Sequence, residues 1–120
     1  MKLQEVIDAL NLKVYTTPQN FSELEPSCGY ASDLLSCVMA GASKHSIWVT
    51  LQAHGNIVAV ATLLDLTAVI ITENALPEQA IIDKANEEGV ILLGSSNSSF
   101  YVIGKLWELG LRCKPEVETQ

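Results

Sequence analysis

Three short apolar runs constrain the fold of this chain more than any other feature. They are "SIWVTLQ" at 46–52, "AVIITEN" at 68–74 and "VILLGSS" at 90–96. A strand that is buried on both faces is an almost continuous apolar run, and such strands occur mainly in parallel sheets that helices cover. The three runs therefore predict the inner strands of a mostly parallel sheet.

The segments between these runs have helical periodicity. Predicted helices cover 2–10, a stretch of two to three turns capped by Ser32 and closed by Gly41, then 55–65, 77–89 and 98–111. "LKVYT" at 12–16 is a further short β-rich run, and the polar stretch that follows it, which ends in "SCGYA", has room for a short extended piece but no long element. Strands that alternate with helices specify an α/β fold with right-handed crossovers. The prediction is a single three-layer domain whose sheet has about four to five strands.

Composition limits the partners. The chain has 120 residues, 48% of them hydrophobic, which predicts one domain at 1–112 followed by a tail at 113–120. The formal net charge is −7, and the seven Lys and Arg residues are scattered singly. A nucleic-acid or anionic membrane surface needs clustered cations, so neither partner is expected.

The amino terminus and the cysteines predict a cytoplasmic location. "MKLQEVIDALNL" is amphipathic rather than a signal sequence, and no apolar run approaches the length of a membrane span. Three cysteines without an export signal indicate a reducing compartment and free thiols. Cys37 lies three residues after Leu34 and is expected in the core, whereas Cys28 lies before a helix.

Small polar residues follow each inner strand, where ligands sit in open parallel sheets. Helix amino termini at these ends suit phosphate or carboxylate groups. The alternative is that these residues are ordinary loop residues and caps. The candidates are Thr50, Gln52, His54, Gly55 and Asn56 after the first run, Thr72, Glu73 and Asn74 after the second, and Gly94, Ser95, Ser96, Asn97, Ser98 and Ser99 after the third.

The chain lacks the dense motifs of an enzyme or a metal protein. It contains no phosphate-loop, dinucleotide-binding or GxSxG motif, and its cysteines and histidines form no closely spaced ligand pairs. His54 and Cys28 are the best candidates for a general base and a reactive thiol, against the simpler interpretation of a solvated turn histidine and an inert cysteine. We therefore expect no catalytic residue, metal or cofactor.

The helix "NIVAVATLLDL" is apolar on nearly all sides. Such a helix in a small domain is either sandwiched between neighbours or buried against another subunit. An exposed Trp107 on the last helix would enlarge such a surface. Self-association is therefore a hypothesis from the sequence.

The stretch "SCGYASDLLS" at 27–36, together with "NIVAVA" and "AVIIT", resembles the DRTGG domain family. The resemblance covers roughly 1–112 and is stronger toward short stand-alone members found near hydrogenase and redox genes in anaerobes. Gly29 and "YASDLLS" match the family pattern. Ser27 and Cys28 stand where relatives have threonine and glycine.

The resemblance implies a regulatory domain rather than an enzyme. Family members occur beside CBS domains in some pyrophosphatases, where they contribute to the dimer, which implies a homodimer that senses a small, possibly adenine-nucleotide, ligand. The alternative is a scaffold subunit of an iron-only hydrogenase or other redox complex. Ser32 as a cap and Tyr30 packed over the helix start are the simpler interpretations of two candidates. The expected ligand contacts are Ser27, Cys28, Gly29, Tyr30, Ser32 and Asp33, followed by Thr50, His54, Asn56 and Ser95, Ser96, Ser98 and Ser99.

Overall fold

One five-stranded sheet forms the centre of the computed structural model, which describes residues 1–113. The strands are β1 Lys13–Val14, β2 Gly29–Ala31, β3 Ile47–Thr50, β4 Ala68–Ile71 and β5 Leu92–Gly94. Their order is β1-β5-β4-β3-β2; β2 to β5 run parallel, and β1 pairs with β5 antiparallel. The three apolar runs form the three inner strands, as predicted, because each is buried on both faces.

Five helices cover this sheet and complete the predicted three-layer α/β domain. They are α1 Leu3–Leu10, α2 Leu35–Gly41, α3 Ile57–Leu64, α4 Gln79–Glu88 and α5 Ser99–Leu109, with a short 3-10 turn at Phe21–Glu23. Helix α4 ends at Gly89, whose φ of +75° is the left-handed conformation that closes many helices. Residues 114–120 of the predicted tail lie outside the described part of the chain.

Alternating side chains of the sheet build one core on each face. Helices α1 and α5 cover one core, and α2, α3 and α4 cover the other. On the first face lie the sheet residues Ile47, Val49, Ala68, Ile70 and Leu93; on the second lie Trp48, Val69, Ile71 and Leu92. All five helices of the described chain therefore contribute to covering the sheet.

The apolar helix α3 is sandwiched within the chain. It packs between α2 and α4, and its residues Ile57, Val58, Val60 and Ala61 are buried there. Leu63 remains 68% exposed. Neighbouring helices thus account for most of the apolar surface of α3.

Helix α2 corrects two predictions. It begins at Leu35, and the Ser32 hydroxyl accepts the Leu34 amide at 3.1 Å, so Ser32 closes a turn ahead of the helix instead of capping it. Cys37, expected in the core, is exposed, and within α2 only Val38 is fully buried. The physical reason is position: α2 lies over the edge strand β2, where the sheet covers only a narrow stripe of the helix.

Candidate functional site

The predicted ligand contacts lie at both ends of the parallel strands. Ser27 and Cys28 precede the edge strand β2, at the amino ends of the parallel strands, whereas Ser32 and Asp33 follow β2 at the carboxyl ends. Gly29 and Tyr30 belong to β2 and pair with Ile47 and Trp48 of β3. This short strand lies in the stretch where the sequence left room only for a short extended piece, and hydrogen bonds to β3, rather than a local apolar pattern, define it.

A cavity of about 530 Å³ lies beside β2 and contains four of the predicted residues. We call it the β2 cavity. It is lined by Ser27, Cys28, Gly29, Tyr30, Gly41, Ser43, Arg112 and Cys113. Hydroxyl groups, an aromatic ring, two sulfurs and a cation therefore converge on one space.

The cation of the β2 cavity is Arg112, the sole arginine of the sequence. Its Nε donates to the Trp107 carbonyl at 2.9 Å, and its guanidinium carbon lies 4.6 Å from the centroid of the Trp107 ring. A guanidinium that is stacked and hydrogen-bonded is held in place while its remaining N–H groups stay available. Sequence reasoning missed Arg112, although its uniqueness in the chain was a visible signal.

Ser27 and Tyr30 already have partners within the chain. The Ser27 hydroxyl donates to the Lys44 carbonyl at 2.8 Å, and its amide donates to the His45 carbonyl at 3.0 Å. The Tyr30 hydroxyl donates to the Cys37 carbonyl at 3.1 Å, which holds the ring against α2. The lone pairs of both hydroxyl oxygens remain available to accept a hydrogen bond from a ligand.

Cys28 and Cys113 form a disulfide, which corrects the prediction of three free thiols. Their Cα atoms lie 5.1 Å apart, although 85 positions separate them along the chain. Cys37 forms no disulfide within residues 1–113. Spacing in the sequence gave no sign of this pair, because only the path of α5 brings Cys113 to β2.

At the carboxyl ends of β2 and β3, the Asp33 carboxylate connects the segment after β2 with the end of β3 and the loop that follows it. One of its oxygens accepts the Thr50 hydroxyl and the Leu51 amide, both at 2.8 Å. The Gln52 side chain donates to the Asp33 carbonyl at 3.1 Å. The structure brings the candidate residues Asp33 and Thr50 into contact with each other, and these hydrogen bonds fix the loop after β3.

The serine run begins α5, where free amides were expected to receive an anion. The Glu73 carboxylate accepts the Ser99 amide at 2.7 Å, and the Ser98 hydroxyl accepts the Tyr101 amide at 3.2 Å. Ser99 also bonds the Thr72 hydroxyl at 2.5 Å. A carboxylate at a helix amino terminus is electrostatically favourable. The chain's own Glu73 therefore occupies part of the predicted anion position.

A second, polar cavity of about 270 Å³ lies at the opposite edge of the sheet. We call it the β1 cavity. It includes the predicted Ser95 and Ser96, and its other lining residues are Leu10, Asn11, Lys13, Tyr15, Asn74, Leu76, Gly94 and Asn97. The Lys13 ammonium lies 5.2 Å from the Tyr15 ring centroid, and burial raises the pKa of the Tyr15 phenol above 10.0. Lys13 was missed because the pairing of β1 with β5 was not foreseen.

His54 and Asn56 join neither cavity. Both are exposed in the loop between β3 and α3, and within the described residues neither side chain makes a hydrogen bond. Among residues 1–113, no group of three His, Cys, Asp or Glu side chains could hold a metal ion. In the same part of the chain, no helix has the length and apolarity to cross a bilayer.

Comparison with known proteins gives a similarity to a solved structure. No protein-family model matches the sequence, and no curated protein matches it. Among solved structures, the chain is similar to the crystal structure of the CBS and DRTGG domains of the regulatory region of Clostridium perfringens pyrophosphatase, complexed with the activator diadenosine tetraphosphate. The TM-score is 0.72. At 16% identity, the likeness is one of fold.

The similarity covers 86% of this chain and 44% of the pyrophosphatase chain. It supports the DRTGG-like fold that the "GYASDLLS" segment suggested, and that structural neighbour is a regulatory region rather than a catalytic one. The chain spans less than half of its structural neighbour.

Proposed function

We propose that this chain is a non-catalytic regulatory module of the DRTGG type. It binds a small anionic ligand, with an adenine nucleotide as the first candidate, in the β2 cavity. It acts as a homodimer in the cytoplasm. The observation that carries the proposal is the convergence of Ser27, Tyr30 and Arg112 on one cavity of about 530 Å³. Small-molecule sites typically have volumes of roughly 300–1,000 Å³ and a few convergent polar groups.

Charge supports Arg112 as the main ligand contact. The chain carries a net charge of −7 and would repel an anion over most of its surface. Arg112 places a fixed guanidinium at the β2 cavity, and guanidinium groups bind phosphate and carboxylate oxygens in a bidentate manner. An anionic ligand would therefore be selected at this cavity over other surfaces.

The test is a thermal-shift panel of adenine nucleotides, dinucleoside polyphosphates and acyl phosphates on the full chain. A ligand at about 100 times its dissociation constant stabilises the folded state by about 2.7 kcal/mol, which raises the melting temperature by several degrees. We expect Arg112→Gln to abolish most of this shift. A panel without any stabilising compound would contradict ligand sensing.

Two charge-matched variants locate the site. Lys13→Gln removes the cation of the β1 cavity, and Lys84→Gln removes a surface lysine whose partner is Glu88, four residues along α4. Both should keep the ligand-induced shift if the β2 cavity is the site. If Lys13→Gln lost the ligand-induced shift and Arg112→Gln kept it, the ligand site would be the β1 cavity instead.

An exposed apolar stripe on α5 supports the homodimer. Phe100 is 88% exposed, Trp107 55% and Ile103 41%, and their spacing places all three on one side of the helix. Gly104 lies on the same side, and a Cβ added there would meet no atom within 4 Å. An apolar stripe of this kind on a small domain marks a protein contact.

The same stripe supports the second candidate function, a scaffold subunit of a hydrogenase or other redox complex. In that case another protein would cover Phe100 and Trp107. Purification of the tagged chain from its native host distinguishes the two functions. Stoichiometric redox subunits together with a monomeric free chain would favour the scaffold. A homodimer alone would favour the sensor.

A further inference from the structure

The Cys28–Cys113 disulfide joins the edge strand β2 to the segment that follows α5. Only tertiary structure brings the two cysteines together, and their Cα separation of 5.1 Å lies within the range typical of disulfides. The bond closes a loop over most of the described chain. Its oxidation state therefore decides whether the end of α5 is tied to the edge of the sheet.

The structure provides a hydrogen-bond partner for each oxidation state. In the disulfide, the Gly29 amide donates to Cys113 Sγ at 3.1 Å. The Gly29 carbonyl lies 3.4 Å from Cys28 Sγ and 3.5 Å from Cys113 Sγ. A disulfide has no S–H to donate, so these two contacts become hydrogen bonds only when the sulfurs carry protons. Reduction thus requires no rearrangement of β2 before new contacts form.

Both sulfurs are accessible to a small thiol. Cys28 and Cys113 are partly exposed and line the open β2 cavity. Arg112 lines the same cavity, and its positive charge attracts an anionic thiolate. Disulfides that a thiolate can reach are the ones that exchange, whereas buried structural disulfides resist reduction.

We propose that Cys28 and Cys113 form a reversible thiol–disulfide site that exchanges with small thiols of the glutathione class. A reagent thiolate attacks one sulfur, the Cys28–Cys113 bond breaks, and a mixed disulfide forms while the released cysteine takes up a proton. A second reagent thiolate attacks the mixed disulfide and leaves as the oxidised reagent. The protein gains two electrons and two protons, and oxidised glutathione reverses the reaction.

The oxidation state of Cys28 and Cys113 should change the solvent exposure of an amide at the edge of the sheet. Gly29 belongs to β2, the edge strand of the sheet, and its amide contacts Cys113 Sγ. With the bond closed, Cys113 Sγ is held against the Gly29 amide. With the bond open, Cys113 can move away, and the Gly29 amide becomes exposed to solvent. The inference concerns the thiols and the edge strand, and it stands whether or not the β2 cavity binds a ligand.

The test is a redox titration of the full chain in mixtures of reduced and oxidised glutathione without oxygen, followed by alkylation and mass spectrometry. Cys28 and Cys113 should lose alkylation together in one transition that adds no mass to either residue, whereas Cys37 should lose alkylation only by gaining a glutathione adduct. On reduction, exchange of the Gly29 amide should accelerate at least about tenfold. The melting temperature should fall by at least about 8 °C, because the cross-link no longer restricts the unfolded chain.

Variants in which one cysteine is replaced by serine provide the controls. Cys37→Ser should leave the transition unchanged, whereas Cys28→Ser and Cys113→Ser should abolish it and give the rapid exchange of the reduced state under every condition. A disulfide that stays closed in native protein under excess dithiothreitol would overturn the proposal. Failure of oxidised glutathione to form the Cys28–Cys113 disulfide would also overturn it, as would identical exchange of the Gly29 amide in both states.

Discussion

Gly41 is the position at which the fold most clearly excludes a side chain. A Cβ at this position would lie 2.7 Å from two atoms of the Tyr30 ring, which the bond to the Cys37 carbonyl holds in place. We expect Gly41→Ala to displace Tyr30 and to lower the free energy of unfolding by about 1–3 kcal/mol. Urea denaturation followed by circular dichroism measures the change.

Gly104 provides the matched control for this prediction. It lies within α5, and no atom would contact an added Cβ within 4 Å. Gly104→Ala should therefore stabilise the monomer fold by about 0.5–1 kcal/mol through helix propensity alone. If both alanine variants changed stability by the same amount, contact with Tyr30 would not explain the glycine at 41.

Glu25 gives the fold a small pH dependence. Its side chain accepts hydrogen bonds from the Lys2 ammonium at 3.2 Å and from the amino terminus at 3.4 Å, which lowers its pKa below 4.5. A carboxyl whose folded pKa is lowered stabilises the fold above its unfolded pKa, and the effect disappears as the pH falls through the folded value. Because Glu25 is exposed, the effect should be small.

Melting temperatures of wild type and Glu25→Gln from pH 3 to pH 7 test this dependence. We expect the wild type to melt slightly higher above pH 4.5, with the two curves converging below it. High salt should narrow the gap, since the ion pair is exposed. A gap that persisted unchanged to pH 3 would point to a cause other than ionisation of Glu25.

At the scale of the element, α5 carries the proposed subunit contact. Phe100→Glu places a charge on the most exposed apolar side chain of the stripe, distant in the helix from the Arg112 contact with Trp107. We expect this variant to weaken dimerisation at least about tenfold in sedimentation velocity at micromolar concentration, because a charge in an apolar contact is costly.

Leu63→Glu is the control for the α5 surface. Leu63 is 68% exposed on α3, a helix whose other apolar residues are covered within the chain. This variant should dimerise like the wild type. A wild type that is monomeric at micromolar concentration, or a Phe100→Glu variant that dimerises normally, would rule out this interface.

Elements differ in how well the sequence predicts them. β3, β4 and β5 were predicted because burial on both faces imposes an unbroken apolar run that is visible locally. β2 was not, since "GYA" gains its strand conformation from the register with β3. Cys37 was misplaced for a related reason: helical spacing identifies an apolar face, but it does not say how much of that face the sheet covers.

At the scale of the whole molecule, the fold class followed from the order of the elements, whereas the site depended on distant contacts. The β2 cavity unites residues from the start of β2 with Arg112 and Cys113, far along the chain. Glu73 reaches the first turn of α5 across the neighbouring strand end. Neither contact produces a periodic pattern or a characteristic spacing of residues in the sequence. The sequence therefore pointed to the serine run and to "SCGYASD", but it did not identify the distant side chains that contact them.

The placement of α1 beside α5 has a consequence for synthesis on the ribosome. Within residues 1–113, the helices that cover one face of the sheet are the first and the last, with Phe21 of the 3-10 turn beside them, so Ile47, Ile70 and Leu93 stay only partly covered until α5 has emerged. The opposite face, covered by α2, α3 and α4, can form earlier. A nascent chain that stalls before α5 would leave this core incomplete, and the apolar surface it exposes would favour aggregation or chaperone binding.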